Sequence, residues 1–304
     1  MVPIVRWSLV ANIKIGQGIP RAFKTAQRTS KRSDRDFAIL IHPLIPTMYL
    51  RAVHAEAQIP VLQQLIRDNP LGILTTAIKS QQHPLIQSSH IPFVLDVPKA
   101  ADGTLSNGTL RGHLARQNPQ AKVLMEALAA SREQGQQTPE LLDEVLVLFN
   151  GAHHHYVTPK FYVETKPDSG KVVPTWNYAA VQAYGKIRVY CNSQSEETSA
   201  FLQKQIQDLT QNSESLIMGH VGGEKLSPWE VSDAPTRYVD ILKKNIIGIE
   251  IKIDRLQGKF KMSQEMGKGD REGIVNGFDS LGTATGKGIA QLVRERGELK
   301  DQQV

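Results

Sequence analysis

The sequence predicts a mainly β protein with peripheral helices, an α+β fold in which short strands close into a barrel. Most of its apolar stretches are short and β-like, and turn-forming residues separate them. Asp102-Gly103 and Asn107-Gly108 are turn signals of the hairpin type. The helical segments lie at the edges of these runs, and because no βαβ pattern repeats, a parallel sheet is not expected.

The first half of the folded region contains two helices and three strands. Apolar residues recur at helical spacing from Glu56 to Arg67, and Asn69-Pro70 ends that helix. Pro119 is suited to the start of the second helix, which runs to about Ser131. The predicted strands are 71–78, 91–97 and 109–115.

The second half contains more strands, with helices between and after them. The predicted strands are 144–149, 171–175, 180–191 and 246–253. Gly185 marks a bulge or turn in the third of these, and Gly258 a turn after the fourth. The predicted helices are 195–209, which Ser195 caps, 235–244 and 270–278.

Basic residues are concentrated at the start of the chain. Residues 1–47 contain eight Lys or Arg and two Asp, a balance of +6 that equals the net charge of the whole chain. The remaining 28 basic and 28 acidic residues cancel. Because a protein that binds duplex DNA usually carries a basic face on the folded domain itself, the neutral body disfavours direct DNA binding.

We therefore divide the chain into a basic extension (1–47) that is predicted to be disordered, a single body (48–279) and a charged tail (280–304) with at most an amphipathic helix. A flexible tail or an upstream start explains the extension better than a mitochondrial targeting sequence does. The single cysteine, Cys191, excludes an intrachain disulfide and fits a reducing compartment. No apolar stretch has the length of a membrane span. A cytoplasmic protein is expected, with a nuclear one as the alternative and a mitochondrial one if the extension is a targeting sequence.

The run from Phe149 to Tyr190 carries the strongest functional signal. It combines three histidines, many aromatic rings and the string Pro-Thr-Trp-Asn-Tyr, with hydroxyl and ammonium groups among the rings. A hydrophobic core does not need so many polar groups in one place. Aromatic rings beside donors that suit a phosphate indicate a site for a flat, phosphorylated cofactor.

The same run resembles the PaiB-type family of FMN-binding negative transcriptional regulators. The resemblance rests on HHYVTPKFY at 154–162 and KVVPTWNYAAVQAYGK at 171–186. Shorter matching segments occur in one consistent order from 48 to 279, and they lie at 48–49, 69–72, 90–93, 110–113, 118–120, 229–235, 247–251 and 258–264. Two positions depart from the family pattern: Ala152 stands where proline is frequent, and Glu265 where asparagine is frequent.

The resemblance implies a split β-barrel of the FMN-binding type with Greek-key-like strand order. It also implies FMN as the cofactor and a homodimer, because in such folds the flavin commonly lies in the groove between two subunits. Transcriptional regulation is the activity that the family name suggests.

Trp176, Asn177 and Tyr178 form the sharpest local motif. The two rings could pack near the isoalloxazine, and Asn177 could hydrogen-bond a ring edge or the phosphate. The alternative is a core aromatic at the end of a strand with a capping asparagine.

A second candidate group lies around the strand at 109–115. Arg111 and His113 share one face of that strand, where a guanidinium can hold a phosphate with two hydrogen bonds. His90 and Asn118 flank the strand in the family pattern, and we expect His90 and His113 to hydrogen-bond the flavin edge. The alternative is a solvated face paired with carboxylates.

A third group comes after Gly258. Lys259, Lys261 and Ser263 alternate along one predicted strand face, and Gln264 comes next. Two ammonium groups and a hydroxyl suit a phosphate or the pyrimidine edge of a flavin, where negative charge develops on reduction. A charged, exposed edge strand is the alternative.

The adjacent histidines His153, His154 and His155 invite a metal site. We predict none, because neither a cysteine nor a pair of carboxylates stands at ligand spacing from them. Haem, which a histidine could bind, is a less favoured alternative to FMN. The glycine-rich segment 282–288 fails as a P-loop because its spacing and last residue are wrong.

The leading functional hypothesis is therefore an FMN-binding, split-barrel protein of the PaiB regulator type. The first alternative is a flavin-dependent oxidoreductase that acts on a small molecule, since the flavin itself would supply the chemistry. The second alternative is a haem-binding protein with the same barrel.

Overall fold

The computed structural model describes residues 48–98, 105–135 and 138–302. The predicted extension at 1–47 and the Asp102-Gly103 turn lie outside these described residues. The described residues belong to the predicted body (48–279) and to the segment that follows it (280–304).

Nine strands and seven α-helices make up the described fold. The strands are β1 (Ala55–Glu56), β2 (Leu71–Ala77), β3 (Ile86–Pro92), β4 (Val94–Asp96), β5 (Thr109–Ala115), β6 (Glu140–Asn150), β7 (His155–Val157), β8 (Thr175–Tyr190) and β9 (Ile246–Lys261). The helices are α1 (Ile59–Asp68), α2 (Pro119–Glu133), α3 (Thr165–Ser169), α4 (Glu196–Asn212), α5 (Thr236–Lys244), α6 (Lys268–Asp279) and α7 (Ala284–Asp301). None of the helices in the described part of the chain is both long and apolar enough to cross a membrane.

The strands form an antiparallel sheet that curls into a split barrel. Its order is β3-β2-β6-β8-β9-β5-β4, and β1 and β7 add to β9 and β8. The two ends of this path, β3 and β4, are separated in the chain only by Phe93. The sheet must therefore curl until its ends meet, which confirms the predicted mainly β fold with peripheral helices and the split barrel.

Apolar side chains from the interior face of the sheet fill the barrel. Leu74, Val147, Val181 and Ile249 are fully buried, each on a different strand. Helices contribute further buried side chains, among them Leu62 and Ile66 of α1, Leu124 and Leu128 of α2 and Ile289 of α7. Burial of this kind stabilises the fold by about 1.5–3 kcal/mol per large side chain.

One predicted strand is divided in two. Residues 91–97 were expected to form a single strand, whereas β3 ends at Pro92 and β4 begins at Val94. Proline has no N–H to donate to a sheet ladder, and the Phe93 N–H turns away to the Pro70 carbonyl at 2.9 Å. The chain thus leaves β2 and joins β5 at the point where the barrel is split.

Two other local predictions were wrong, and one is confirmed. The predicted strand at 171–175 is mostly irregular, because Gly170 ends α3 with φ +64° and Pro174 lacks a donor. Gly258 does not make a turn: it lies within β9, opposite Val181. Gly185 lies at a register shift between β8 and β9, as predicted.

The C-terminal segment is part of the folded body. We predicted a charged tail after residue 279 with at most an amphipathic helix, whereas α7 is 18 residues long. Its apolar face buries Ile289, Ala290 and Val293 in the main core. Most of the charged residues of the segment are exposed, which explains why its composition suggests a tail.

Candidate functional site

Basic and aromatic side chains meet on the outer face of β8 and β9, near the end of β9. Tyr178 lies opposite Lys261, and Ala180 lies opposite Lys259. Paired residues of an antiparallel sheet point to the same side, so Tyr178 and both lysines share this face. We call the group of Tyr49, Trp176, Tyr178, Lys259 and Lys261 the basic–aromatic site.

Lys259 holds its ammonium group between two rings. The Nζ atom is 5.7 Å from the centre of the Tyr49 ring and 5.6 Å from that of Tyr178, and it donates to the Tyr49 carbonyl at 3.1 Å. It forms no ion pair with any carboxylate in the described part of the chain. Its charge is thus available to an anionic ligand.

Lys261 is anchored at the same end of the sheet. Its Nζ donates to Thr175 Oγ1 at 2.5 Å and to the Trp176 carbonyl at 3.0 Å, and the Glu265 carboxylate is 3.9 Å away. Burial lowers the pKa of Lys261, and the nearby charges of Lys259 and Arg51 lower it further, against the opposing effect of Glu265. Lys261 thus lies near two other cations, Lys259 and Arg51, and near one carboxylate, Glu265, which leaves an excess of positive charge around it.

Trp176 lies at the start of β8 with much of its ring in solvent. The side chain is 54% exposed, and its ring packs against Tyr156 at 6.3 Å and against His154 at 6.5 Å between centroids. Exposed rings that are held by neighbouring rings suit the stacking of a flat ligand. The sequence prediction that places Trp176 and Tyr178 together is thus consistent with the geometry.

Asn177, Ser263 and Gln264 lie beneath this surface and face the interior. The Ser263 hydroxyl is 3.0 Å from Asn177 Oδ1, and Gln264 binds the carbonyls of Val53 and Phe260 and the Met262 N–H. All three side chains are buried, and the Asn177 Nδ2 has no partner among the described residues. They hold the end of β9 in place and do not line the surface, contrary to the predicted ligand contacts.

Ser263 also breaks the predicted alternation with the two lysines. The strand ends at Lys261, and Ser263 has φ +57°, a left-handed conformation that residues other than glycine rarely adopt. The turn directs its hydroxyl inward. Next to it, the Glu265 carboxylate lies 3.0 Å from the buried ring of His54, so the residue that departs from the family pattern has a structural partner here.

Arg111 lies far from the two lysines. It is opposite Glu250 on β9, nine residues from Lys259, which corresponds to roughly 30 Å along a strand. Its guanidinium contacts both oxygens of Asp96, Asp208 Oδ2 at 2.5 Å and Gln205 Oε1 at 3.2 Å. Burial lowers the pKa of Arg111, and the two carboxylates outweigh it and raise that pKa. Arg111 therefore anchors α4 to the barrel and is not free to bind a phosphate.

His113 does not add the predicted positive charge beside Arg111. Burial lowers the pKa of its imidazole, which disfavours the charged form of the ring. Its Nδ1 is buried without a partner among the described residues. The strand face that was predicted to be basic thus carries a paired guanidinium and an imidazole whose charged form burial disfavours.

His90 and Asn118 also lie apart from the basic–aromatic site. Asn118 caps α2: its Oδ1 accepts from Gln120 N at 2.8 Å, and its Nδ2 donates to Ser89 Oγ at 3.1 Å. His90 is exposed on β3, four strands from β9 and so roughly 19 Å away across the sheet. It does, however, point to the same outer face as the lysines.

That outer face is apolar in its middle. The register aligns His90, Ile73, Leu148, Gln182 and Gln257 in one row across five strands. Ile73 and Leu148 are only half-buried, whereas their neighbours Leu74 and Val147 on the interior face are fully buried. A half-exposed apolar row on a sheet is suited to contact with another protein surface.

The three adjacent histidines point to three different places. His153 packs against Gly288 of α7, His154 lies beside Trp176, and the His155 ring meets Phe278 edge to face at 5.3 Å. Across the described ranges, no group of three or more His, Cys, Asp or Glu side chains is arranged to hold a metal ion.

Tyr49 and Arg51 were not among the predicted site residues. Both are exposed and lie at the start of the described body, about 210 residues before the lysines that they accompany. Only the family resemblance at 48–49 could have drawn attention to them, since no local pattern connects such distant residues.

The basic–aromatic site fits a flat, phosphorylated cofactor. Lys259 and Lys261 would hold the phosphate, because one ammonium lacks a carboxylate partner in the described chain and the other has only a distant one. The rings of Trp176 and Tyr178 would lie against an aromatic ring system. Within one subunit, Arg111, His113 and Asn118 lie outside this group.

A curled antiparallel sheet that carries such a site defines a split-barrel protein of the flavin-binding kind. The chain belongs to the family described as "Putative FMN-binding domain", whose profile matches residues 48–255. The resemblance that the sequence suggested is thereby confirmed.

Several known proteins are similar to this chain. "Uncharacterized protein AN0679" of Emericella nidulans is 74% identical over 254 residues, which cover 84% of this chain and 99% of that protein. "Protease synthase and sporulation protein PAI 2" of Bacillus subtilis is 25% identical over 249 residues, which cover 82% of this chain and 95% of that protein. Among solved structures, the conserved hypothetical protein Rv2991 of Mycobacterium tuberculosis aligns with a TM-score of 0.39 and 12% identity, covering 72% and 94% of the two chains. The FAD and heme binding protein of Mycobacterium smegmatis aligns with a TM-score of 0.37 and 11% identity, covering 68% and 73%.

Proposed function

We propose that this protein binds FMN at the basic–aromatic site. The observation that carries the proposal is the position of Lys259, whose ammonium lies between two aromatic rings and lacks a carboxylate partner in the described chain. A phosphate would find two ammonium groups on one sheet face, and a ring system would find Trp176 and Tyr178 beside them. Membership of an FMN-binding domain family supports the same cofactor.

The protein acts, in this proposal, as a redox- or flavin-responsive regulator of the PaiB type. The resemblance to the PaiB-type regulators supports a regulatory role, and the relative "Protease synthase and sporulation protein PAI 2" of Bacillus subtilis is consistent with that resemblance. Residues 48–304 carry no net charge, so regulation through a protein partner is favoured over direct contact with DNA. Bound FMN would supply one- and two-electron redox chemistry, and the chain's own residues would hold and shield it.

The cofactor can be identified from the absorption spectrum of the full-length protein purified without added cofactor, followed by mass spectrometry of the ligand released by heat. Flavin bands with the mass of FMN are expected. A Soret band would show that the bound cofactor is haem and not FMN. A colourless protein that also fails to bind added FMN would contradict the proposal.

The site itself is tested by Lys259→Ala and Lys261→Ala. Each change removes one charge-assisted contact, which contributes about 1.5–3 kcal/mol, so each should weaken FMN binding at least about tenfold in a fluorescence titration. Lys252→Ala is the matched control, because Lys252 is an exposed lysine on the same strand and lies away from the site. Equal affinities in all three variants would place the cofactor elsewhere.

A flavin-dependent oxidoreductase is the second candidate function. The exposed rings of Trp176 and Tyr156 favour it, because a small molecule could reach a flavin that lies against them. Steady consumption of NADH or NADPH by the FMN-loaded protein would support this candidate. Absence of turnover, together with tight FMN binding, would favour the regulator.

A further inference from the structure

A cleft of about 580 Å³ opens between α1 and α7, on the side of the β8–β9 pair that faces away from the basic–aromatic site. Its floor includes Ala179 and Phe260, which neighbour Tyr178 and Lys261 in the chain and so point to the opposite face of the sheet. Val61, Leu65, Ala152 and Leu292 add apolar walls. The volume lies within the range of small-molecule sites in proteins.

Two carboxylates stand at the rim of this cleft without a cationic partner among the described residues. Asp68 accepts a hydrogen bond from Gln64 at 2.7 Å, and Glu295 accepts one from Gln291 at 2.8 Å. Each of these partners is an uncharged amide in the same helix, and neither carboxylate forms an ion pair with a cation of the described ranges. The rim is therefore negatively charged.

Arg296 also lines the cleft, but it does not cancel that charge. Its Nη1 is 2.5 Å from Glu56 Oε2, and its guanidinium stacks on the Phe260 ring at 3.8 Å. Its charge is thus neutralised by a third carboxylate, and its flat face forms part of the wall. The lining thus combines an apolar floor with two carboxylates that lack an ion-pair partner among the described residues, and Gln64, Asn69 and His153 add polar groups.

We propose that this cleft binds a small, largely apolar molecule that carries a protonated amine. The apolar body would lie over Ala179 and Phe260, and the ammonium would reach the carboxylates of Asp68 and Glu295. An anionic ligand would meet repulsion at the rim. This site is separate from the one proposed for FMN, and its existence does not depend on flavin binding.

Three indoles of matched size provide the test: tryptamine, its neutral analogue tryptophol and the anion indole-3-acetate. Their affinities for the full-length protein are measured by calorimetry, with and without added FMN, so that stacking at the basic–aromatic site is recognised by its sensitivity to FMN. Tryptamine should bind about fivefold or more tightly than tryptophol, and indole-3-acetate should bind most weakly. Equal affinities, or no binding of tryptamine up to about 5 mM, would overturn the proposal.

Substitutions locate the bound probe. Asp68→Asn and Glu295→Gln should each weaken tryptamine binding about two- to fivefold and leave tryptophol unchanged, because exposed charge pairs contribute up to about 1 kcal/mol. Ala152→Trp, at an exposed position of the lining, should fill the cleft and abolish binding of both probes. Ala129→Trp, on the exposed side of α2, is the control and should change nothing. Binding that survives Ala152→Trp, in a variant with an unchanged melting temperature, would refute the assignment.

Discussion

The guanidinium of Arg111 joins a strand to a helix that is distant in the chain. It contacts Asp96 from β4 and Asp208 and Gln205 from α4, and only 4% of the residue is exposed. Removal of a buried cation that has two carboxylate partners strongly destabilises a protein, because the carboxylates are then left without a compensating positive charge.

We therefore expect Arg111→Met to reduce the free energy of unfolding by about 1–3 kcal/mol, less than for a fully buried pair because Asp96 and Asp208 are partly exposed. FMN affinity should remain unchanged. The measurement is urea unfolding together with an FMN titration. Arg188→Met is the control, since Arg188 forms an exposed pair with Glu197, and it should cost less than about 1 kcal/mol. If a stably folded Arg111→Met variant lost FMN affinity, Arg111 would have to be assigned to the cofactor site.

Asp270 provides a prediction about pH. Burial by itself raises the pKa of this carboxyl, but hydrogen bonds from the Thr165 hydroxyl and from the Glu164 and Thr165 N–H groups outweigh it and lower that pKa. A depressed folded pKa contributes stability that is present above the unfolded pKa of about 3.9 and is lost as the pH falls through the folded pKa.

Asp270→Asn should thus lower the free energy of unfolding by about 1.5–3 kcal/mol at pH 7. The difference from the unmodified protein should shrink as the pH falls below about 3.9. Urea unfolding between pH 7 and pH 3 measures both. Asp279→Asn removes a carboxylate from a surface pair with Arg294 and should cost less than about 1 kcal/mol at pH 7. A difference that does not change with pH would exclude the proposed role of the charge.

At this scale, the sequence grouped side chains correctly where the backbone is regular. Lys259 and Lys261 alternate along β9 and share one face, as predicted. Arg111 was misassigned because its partners lie 15 and 97 residues away, and no local pattern reports such contacts. Ser263 was misassigned because its left-handed backbone turns the side chain inward.

Among the elements, β9 departs most from its prediction. The sequence indicated a strand that ends before a turn at Gly258, whereas β9 continues for 16 residues to Lys261. Glycine is needed there because Leu62 of α1 packs directly over the backbone, and a Cβ at this position would clash with Leu62 Cδ2. The glycine in this strand is therefore explained by the close approach of helix α1 to the backbone and not by a turn.

We expect Gly258→Ala to destabilise the protein by about 1–3 kcal/mol through this overpacking. Leu62→Ala should also destabilise it, by about 2–5 kcal/mol through the cavity that it leaves. Because the second change makes room for the first, the double variant should be more stable than the sum of the two effects predicts. Additive effects in urea unfolding would show that the two residues do not compete for space.

Strands and helices with regular periodicity were predicted well, and irregular ends were not. The bounds of β5 match the prediction, and α2, α4, α5 and α6 differ by a few residues. The break at Phe93 and the burial of α7 arise from tertiary packing. Local propensity cannot report such packing.

For the whole molecule, we propose a homodimer that uses the outer sheet face. Ile73 on β2 and Leu148 on β6, both half-buried, offer apolar contact area on the face that also carries the basic–aromatic site. His90 lies on that face, so a second subunit would bring further polar groups close to a cofactor that the first subunit holds.

Leu148→Glu should dissociate the dimer, because it places a charge in the middle of this row. Light scattering coupled to size-exclusion chromatography measures the mass. Leu142→Glu is the control: it is the same change on the same strand, at a position that is 71% exposed. A dimer that survives Leu148→Glu would move the interface to another surface.

The contacts at the end of β9 have a consequence for synthesis on the ribosome. The Tyr49 carbonyl meets Lys259 across 210 residues of chain, and β1 pairs with the same stretch of β9. At a synthesis rate of about 5–20 residues per second, Tyr49 is made on the order of ten to forty seconds before Lys259. During that interval the nascent chain exposes an unfinished sheet edge, which can be completed only when residues near 265 have left the exit tunnel.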